Sequence, residues 1–126
     1  MSIFISFFMA QIVFASDLEM GKVPPTIELK DKIGGRLDGS PWSSDELKGK
    51  VHVVFYVDPD EKDLNNDASE ALSDENFSPD DFQSLAIINM AATWLPKFAI
   101  SSSLKKKQKK YPNTLYLSKM KLADFR

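Results

Sequence analysis

The stretch Val51-His52-Val53-Val54-Phe55-Tyr56-Val57-Asp58-Pro59-Asp60-Glu61 decides the fold of this chain. Apart from His52, its first seven residues are β-branched or aromatic, which is typical of a short strand buried on both faces. Asp58 can cap a helix, Pro59 suits the first helical position, and Glu61 completes an Asp-x-x-Glu capping box. The stretch therefore predicts a core strand that leads directly into a helix.

The residues after this strand alternate between helical and strand patterns. The helix from Pro59 to about Asp74 has an apolar stripe at helical spacing, formed by Leu64, Ala68, Ala71 and Leu72. The continuous apolar run Leu85–Ile88 predicts a second buried strand, and Thr114–Leu117 a third. Between them Pro96 opens a helix that ends near Lys110, with Phe98, Ile100 and Leu104 facing inward. This order, with long crossovers, predicts parallel strands with helices on the sheet faces.

The residues before the core strand predict smaller elements. Gly34-Gly35 and Asp38-Gly39 are turn dipeptides, so a small hairpin is expected between them. Ser43 or Ser44 is placed to cap a single helical turn that ends at Gly49.

The first fifteen residues resemble an export signal. Residues 3–14 are apolar apart from Ser6 and Gln11, a run too short to span a bilayer as a helix. Val13-Phe14-Ala15 offers small residues where a signal peptidase cleaves, although the usual basic region is missing. We therefore predict a signal peptide at 1–15, a domain at 16–126, a periplasmic location, and no membrane span after signal removal. The chain has no cysteine, so its core alone must stabilise an exported fold.

Charge is distributed unevenly along the chain. Residues 58–81 hold ten acids and one lysine, and residues 97–126 hold nine bases and one acid, although the net charge is only -2. These regions either pair across the fold or form separate solvated faces, and we favour the second interpretation. The run Lys105–Lys110 has no interleaved aromatic or arginine residue, so nucleic acid is not expected as a partner.

Several short motifs together resemble the YtfJ family of exported bacterial proteins. The resemblance covers roughly residues 20–117 and rests on Gly49-Lys50-Val51, Tyr56-Val57-Asp58, Ala86-Ile87-Ile88-Asn89, Trp94-Leu95-Pro96 and Lys109-Lys110-Tyr111-Pro112. It implies an α/β, thioredoxin-like three-layer sandwich around a central, mostly parallel sheet. Some members of that family are described as transcriptional regulators, a role that the resemblance carries as an alternative.

The chain departs from thioredoxin-type enzymes in two ways. The helix start that would carry Cys-x-x-Cys is here about Asp60-Glu61-Lys62-Asp63, which cannot form a thiolate nucleophile. The residues from Ser118 to Arg126 show no strand-turn-strand pattern, so the last strand and helix of the fold are expected to be missing. On that basis we expect the strand at Thr114–Leu117 to be an unprotected edge, and the isolated chain to be unstable, self-associating or degraded.

The single histidine and the acidic run do not predict a catalytic or metal site. His52 lies within the core strand with no serine or cysteine nucleophile beside it, as packed strand histidines do. The acids from Asp58 to Asp63 lack the glycine and the distal glutamate of an EF-hand loop. We therefore predict no catalytic residue, no metal and no cofactor.

The best ligand-site candidates are the loops that follow the first two predicted core strands. These loops lie at the edge of a parallel sheet where ligand crevices form, and the candidate residues are Asp58, Asp60, Thr93 and Trp94. Trp94 and Phe98 are also consistent with packing under the loop as core, an interpretation that we favour. We predict a non-catalytic exported domain that binds a protein or small molecule of the cell envelope; a metal-assisted enzyme is the alternative from another class.

Overall fold

The computed structural model describes residues 19–120. The predicted signal peptide at 1–15 lies outside these residues, and so does most of the C-terminal segment for which a missing strand and helix are predicted. The described elements are β1 (Glu28–Leu29), β2 (Gly34–Arg36), β3 (Trp42–Ser43), β4 (Val51–Val57), α1 (Asn66–Asp74), β5 (Phe82–Asn89), α2 (Lys97–Lys110) and β6 (Thr114–Lys119). This is an α/β fold with two helices and a mixed sheet.

The main sheet has four strands in the order β2-β6-β5-β4. β4 is parallel to β5, and β5 is parallel to β6, so the predicted parallel pairing of the first two core strands is confirmed. β2 joins β6 in the antiparallel direction, while β1 and β3 form a separate antiparallel pair. The α1 and α2 segments provide the long crossovers that parallel neighbours require.

The centre of the sheet is β5 and β6, and this corrects the prediction for β4. β4 lies at one edge, where Val51, Val54 and Tyr56 are exposed, so it is not covered on both faces. The strand at Thr114–Leu117 lies between β2 and β5 and is therefore not the unprotected edge. An apolar run shows that a strand prefers burial, but its place in the sheet depends on which neighbours pair with it.

Two apolar clusters occupy opposite faces of the sheet. On one face Ala86, Ile88 and Tyr116 pack with Ile100 and Leu104 of α2. On the other face Leu85 and Leu117, the two most deeply buried large side chains, pack with Leu29 and Trp42. The β1-β3 pair thus supplies the second cover of the sheet.

The α1 helix is shorter and more exposed than predicted. The segment after β4 first forms a 3-10 turn at Pro59–Glu61, capped by the Asp58 carboxylate, which accepts the Asp60 N–H at 2.9 Å. α1 then begins only at Asn66, and no side chain among its nine residues is buried. The predicted stripe is mostly solvent-exposed, because a helix that follows an edge strand lies over the sheet margin rather than its centre.

The α2 helix forms almost as predicted, with one side chain on the wrong face. It begins directly after Pro96, its last turn carries lysines that complement the helix dipole, and Ile100 and Leu104 are buried. Phe98, predicted to face inward, is 76% exposed. Since successive helical residues turn by about 100°, Phe98 projects from a different side than Ile100. Both helices line a cleft on the same sheet face, whereas the three-layer sandwich that the resemblance implied has helices on both faces.

The small predicted elements before β4 are present in modified form. Ser43 caps a 3-10 turn at Ser44–Glu46 through a reciprocal capping box with Glu46. Arg36 and Ser40 close the tight turn expected between the glycine dipeptides, with the Arg36 N–H donating to the Ser40 carbonyl at 2.9 Å. The strand at Gly34–Arg36, however, pairs with β6 rather than with the other arm of a hairpin.

Candidate functional site

Two of the predicted site residues are brought into direct contact. The Thr93 hydroxyl donates to the Asp60 carboxylate at 2.6 Å, joining the loop after β5 to the turn after β4. The same hydroxyl accepts the Leu95 N–H at 3.1 Å. Asp58 lies two residues away as the cap of the turn. The carboxyl ends of the two parallel strands therefore meet, as the sequence predicts.

Trp94 lies on the same loop but projects into solvent. It is 85% exposed, so the interpretation of Trp94 and Phe98 as core residues under the loop is wrong. Exposed aromatic side chains are enriched where proteins contact ligands or partners. Trp94, Leu95 and Phe98 are thus three exposed apolar residues close together in the chain at the start of α2.

A cleft of about 550 Å³ lies between α1 and α2. Its apolar floor is formed by Val57, Ile88, Ile100, Leu104 and Tyr116, and its volume is in the range of small-molecule sites. None of the four predicted site residues lines this cleft, but their immediate neighbours Pro59 and Leu95 do. The predicted loops thus border the cleft without forming its floor, which only the packing of α1 and α2 over the sheet creates.

The two walls of the cleft differ in charge. Lys62, Asp63 and Glu70 lie on the α1 side, and Lys107 and Lys110 lie on the α2 side, so the lining holds three lysines and two acids. Within residues 19–120 no ion pair joins these walls; the ion pairs found there link Lys22 to Glu19, Lys30 to Glu28 and Arg36 to Glu46. The acidic and basic regions of the sequence therefore face each other across a gap that remains open to a ligand.

The pKa values of two groups that line the cleft, Tyr116 and Lys110, are raised. Burial raises the pKa of the Tyr116 phenol, so the floor stays uncharged. A side-chain hydrogen bond with Tyr111 raises the pKa of Lys110, and its charge is therefore retained. The cleft combines an uncharged apolar floor with a cationic wall.

The described part of the chain does not assemble a metal site. Between Glu19 and Met120, no three acidic or histidine side chains lie close enough together to hold a metal ion. His52 is half-buried on the edge strand, away from the Asp60–Thr93 contact. In the same range, neither helix has the length and apolar character needed to cross a membrane.

These features define a small α/β domain with an open, amphipathic cleft. A family model described as "Bacterial protein of unknown function (YtfJ_HI0045)" matches residues 26–121. Because this match covers most of the sequence, the chain belongs to the YtfJ family. Comparisons with curated proteins and with solved structures gave no match.

Proposed function

We propose that this protein is a non-catalytic, exported, thioredoxin-like domain that binds a ligand in the envelope through the cleft between α1 and α2. The observation that carries the proposal is the cleft itself, with an apolar floor and with Lys107 and Lys110 on one wall. A ligand with an apolar body and an anionic end group matches the floor and the α2 wall, and the lining as a whole holds three lysines against the two acids Asp63 and Glu70. Trp94 is exposed and precedes Leu95 of the cleft lining in the chain, so we expect it to offer a ligand an aromatic contact.

The thioredoxin-like part of the proposal is supported by the arrangement of strands. The β4-α1-β5-α2-β6 order gives a parallel core, and the turn after β4 lies where the resemblance implies the cysteines of thioredoxin-type enzymes. The position of both helices over one sheet face departs from the three-layer arrangement and gives the proposal no support. Here that turn holds carboxylates used for capping and for the Thr93 contact. Binding rather than thiol chemistry is therefore the function that this geometry supports best.

A matched pair of amphiphiles tests the cleft. Dodecanoate and dodecyltrimethylammonium have the same tail length and opposite head-group charge, and calorimetric titration measures the affinity of each. We expect dodecanoate to bind at least about tenfold more tightly, because the lysine wall favours an anion while the tail covers the apolar floor. Equal affinity for the two, or no heat with either, would contradict the proposed ligand class.

Filling the cleft should abolish that binding. Ser103 lines the cleft, so Ser103→Trp places an indole in its volume, and we expect dodecanoate affinity to fall by about tenfold or more. Ser102 is also exposed on α2 but does not line the cleft, so Ser102→Trp is the matched control. If both variants bind dodecanoate as the wild type does, the amphiphile does not occupy this cleft.

The proposed location requires its own measurement. Cells that express the full chain with a C-terminal tag are fractionated, and we expect the tag in the periplasmic fraction, with a mass reduced by cleavage after residue 15. An uncleaved protein in the cytoplasmic fraction would reject export. It would also favour the alternative of a regulator that meets DNA.

A further inference from the structure

The β4 strand offers an unprotected edge. It is seven residues long, and within residues 19–120 no strand pairs with its outer side. Natural edge strands usually carry lysine, proline or a bulge that prevents pairing with another chain. β4 contains no lysine, arginine, acidic residue or proline, and it pairs with β5 residue by residue without a bulge.

The backbone groups available on this edge are those of His52, Val54 and Tyr56. The Val51 N–H donates inward to the Asp81 carbonyl at 2.9 Å. Because successive residues of a strand direct their N–H and C=O groups to alternate sides, the even-numbered residues direct theirs to the free edge. Val54 and Tyr56 are also about half exposed as side chains, at 49% and 52%.

We propose that β4 pairs antiparallel with β4 of a second copy of this chain, about a two-fold axis at Val54. This register places Val54 opposite Val54 and His52 opposite Tyr56, so all three free residues enter hydrogen-bonded pairs. The interface is isologous, as closed homodimers require. Two four-stranded sheets become one continuous eight-stranded sheet.

The charges that flank β4 are complementary in this register. Lys48 and Lys50 precede the strand, and Asp58 and Asp60 follow it. Antiparallel pairing centred on Val54 places Lys50 opposite Asp58 of the second copy, and Lys48 opposite Asp60. A parallel arrangement would place like charges opposite each other, which is unfavourable. The flanks thus favour one direction.

The side chains of the strand are complementary as well. On the helix-bearing face Phe55 lies opposite Val53 of the second copy, an aromatic and β-branched pair of the kind that stabilises sheets. On the other face, the half-exposed Tyr56 and Val54 gain neighbours. The flanking charges and the central side chains of β4 each match those of a second β4 in this register. A second copy therefore fits this edge better than an unrelated strand.

Disulfide cross-linking of the full chain tests the register, because the protein has no cysteine of its own. Val54→Cys places two thiols opposite each other on the two-fold axis, at about 5.5 Å between Cα atoms, which suits a disulfide. We expect it to form a covalent dimer under mild oxidation at least about tenfold faster than Val23→Cys. Val23 is almost fully exposed, so it reports random collisions. Equal rates would overturn the proposal.

Charge exchange tests the direction of pairing. The wild-type chain of 14.2 kDa is expected to sediment at about 28 kDa, as a dimer does. Lys50→Asp should weaken the dimer about tenfold, since it places two acids opposite each other at each end of the pairing, and adding Asp58→Lys should restore it. A monomer at about 100 µM would overturn the proposal and leave the edge to another segment of the chain or another protein. A dimer indifferent to both changes would place the interface elsewhere.

Discussion

Replacing Leu117 with alanine should lower the free energy of unfolding by about 3–5 kcal/mol, the range of fully buried leucines that leave a cavity. Leu117 is completely buried in β6 and packs with Leu29, Trp42 and Leu85 beneath the β1-β3 pair. Its removal would loosen the contact between the main sheet and that pair, which is the second cover of the sheet. Because a domain of this size is stabilised by only about 5–15 kcal/mol, the variant should unfold at a clearly lower urea concentration.

Leu64→Ala is the matched control for this experiment. The chemical change is the same, but Leu64 lies in the turn before α1 and is exposed. We expect its unfolding free energy to remain within about 0.5 kcal/mol of the wild type. Similar losses in the two variants would mean that Leu117 is not the core residue that the packing indicates. A wild-type chain without a cooperative transition would contradict the packed core on which this prediction rests.

Replacing Gly34 with alanine should lower the free energy of unfolding by about 3 kcal/mol or more and detach β2 from β6, because the added Cβ would overlap backbone atoms of β6. A Cβ at this position would lie 1.9 Å from the Ser118 carbonyl oxygen, well inside any allowed contact. The φ angle of Gly34 is +139°, which side-chain-bearing residues rarely adopt. Urea unfolding measures the loss, and faster hydrogen exchange at the amides of β2 and its partner residues would locate it.

Gly39→Ala separates the effect of backbone conformation from that of overlap. Gly39 also has a positive φ, +87°, but a Cβ there would meet no atom within 4 Å. The free energy of unfolding of Gly39→Ala should therefore fall only by the strain of about 1–2 kcal/mol that a left-handed conformation imposes on alanine. Equal effects of the two substitutions would show that the close approach of Gly34 to Ser118 does not hold in solution.

Local sequence patterns predicted most of the secondary structure correctly. The apolar runs at Val51–Val57 and Leu85–Ile88 form strands, and Pro96 precedes a helix that ends before Pro112. These features depend on residues close in the chain, such as the fixed φ of proline and the preference of β-branched side chains for strands. The pattern predicts a helix from Pro59, but α1 begins only at Asn66, because the capping signals at Asp58 and Pro59 belong to a 3-10 turn.

The candidate site was predicted only in part. The expectation that the loops after two parallel strands meet led to the contact between Asp60 and Thr93, because strand direction alone brings those ends together. The sequence does not distinguish the cleft residues, since Ile88, Leu104 and Tyr116 have the pattern of ordinary core residues. The sequence presents the lysines of α2 as a solvated run. Only the position of α1 shows that Lys107 and Lys110 form one wall of the cleft.

The sequence by itself determined the α/β class, the parallel direction of the core strands and the YtfJ family membership, because periodicity, turn residues and short motifs are local properties of the chain. The tertiary structure alone decided which strand lies at the edge and which lies at the centre. β4 has as strong a strand pattern as β5, but among residues 19–120 β5 is paired on both sides and β4 on one. Pairing depends on contacts between segments distant in the chain, and for this reason the edge position of β4 and the cleft between α1 and α2 emerge only from the assembled fold.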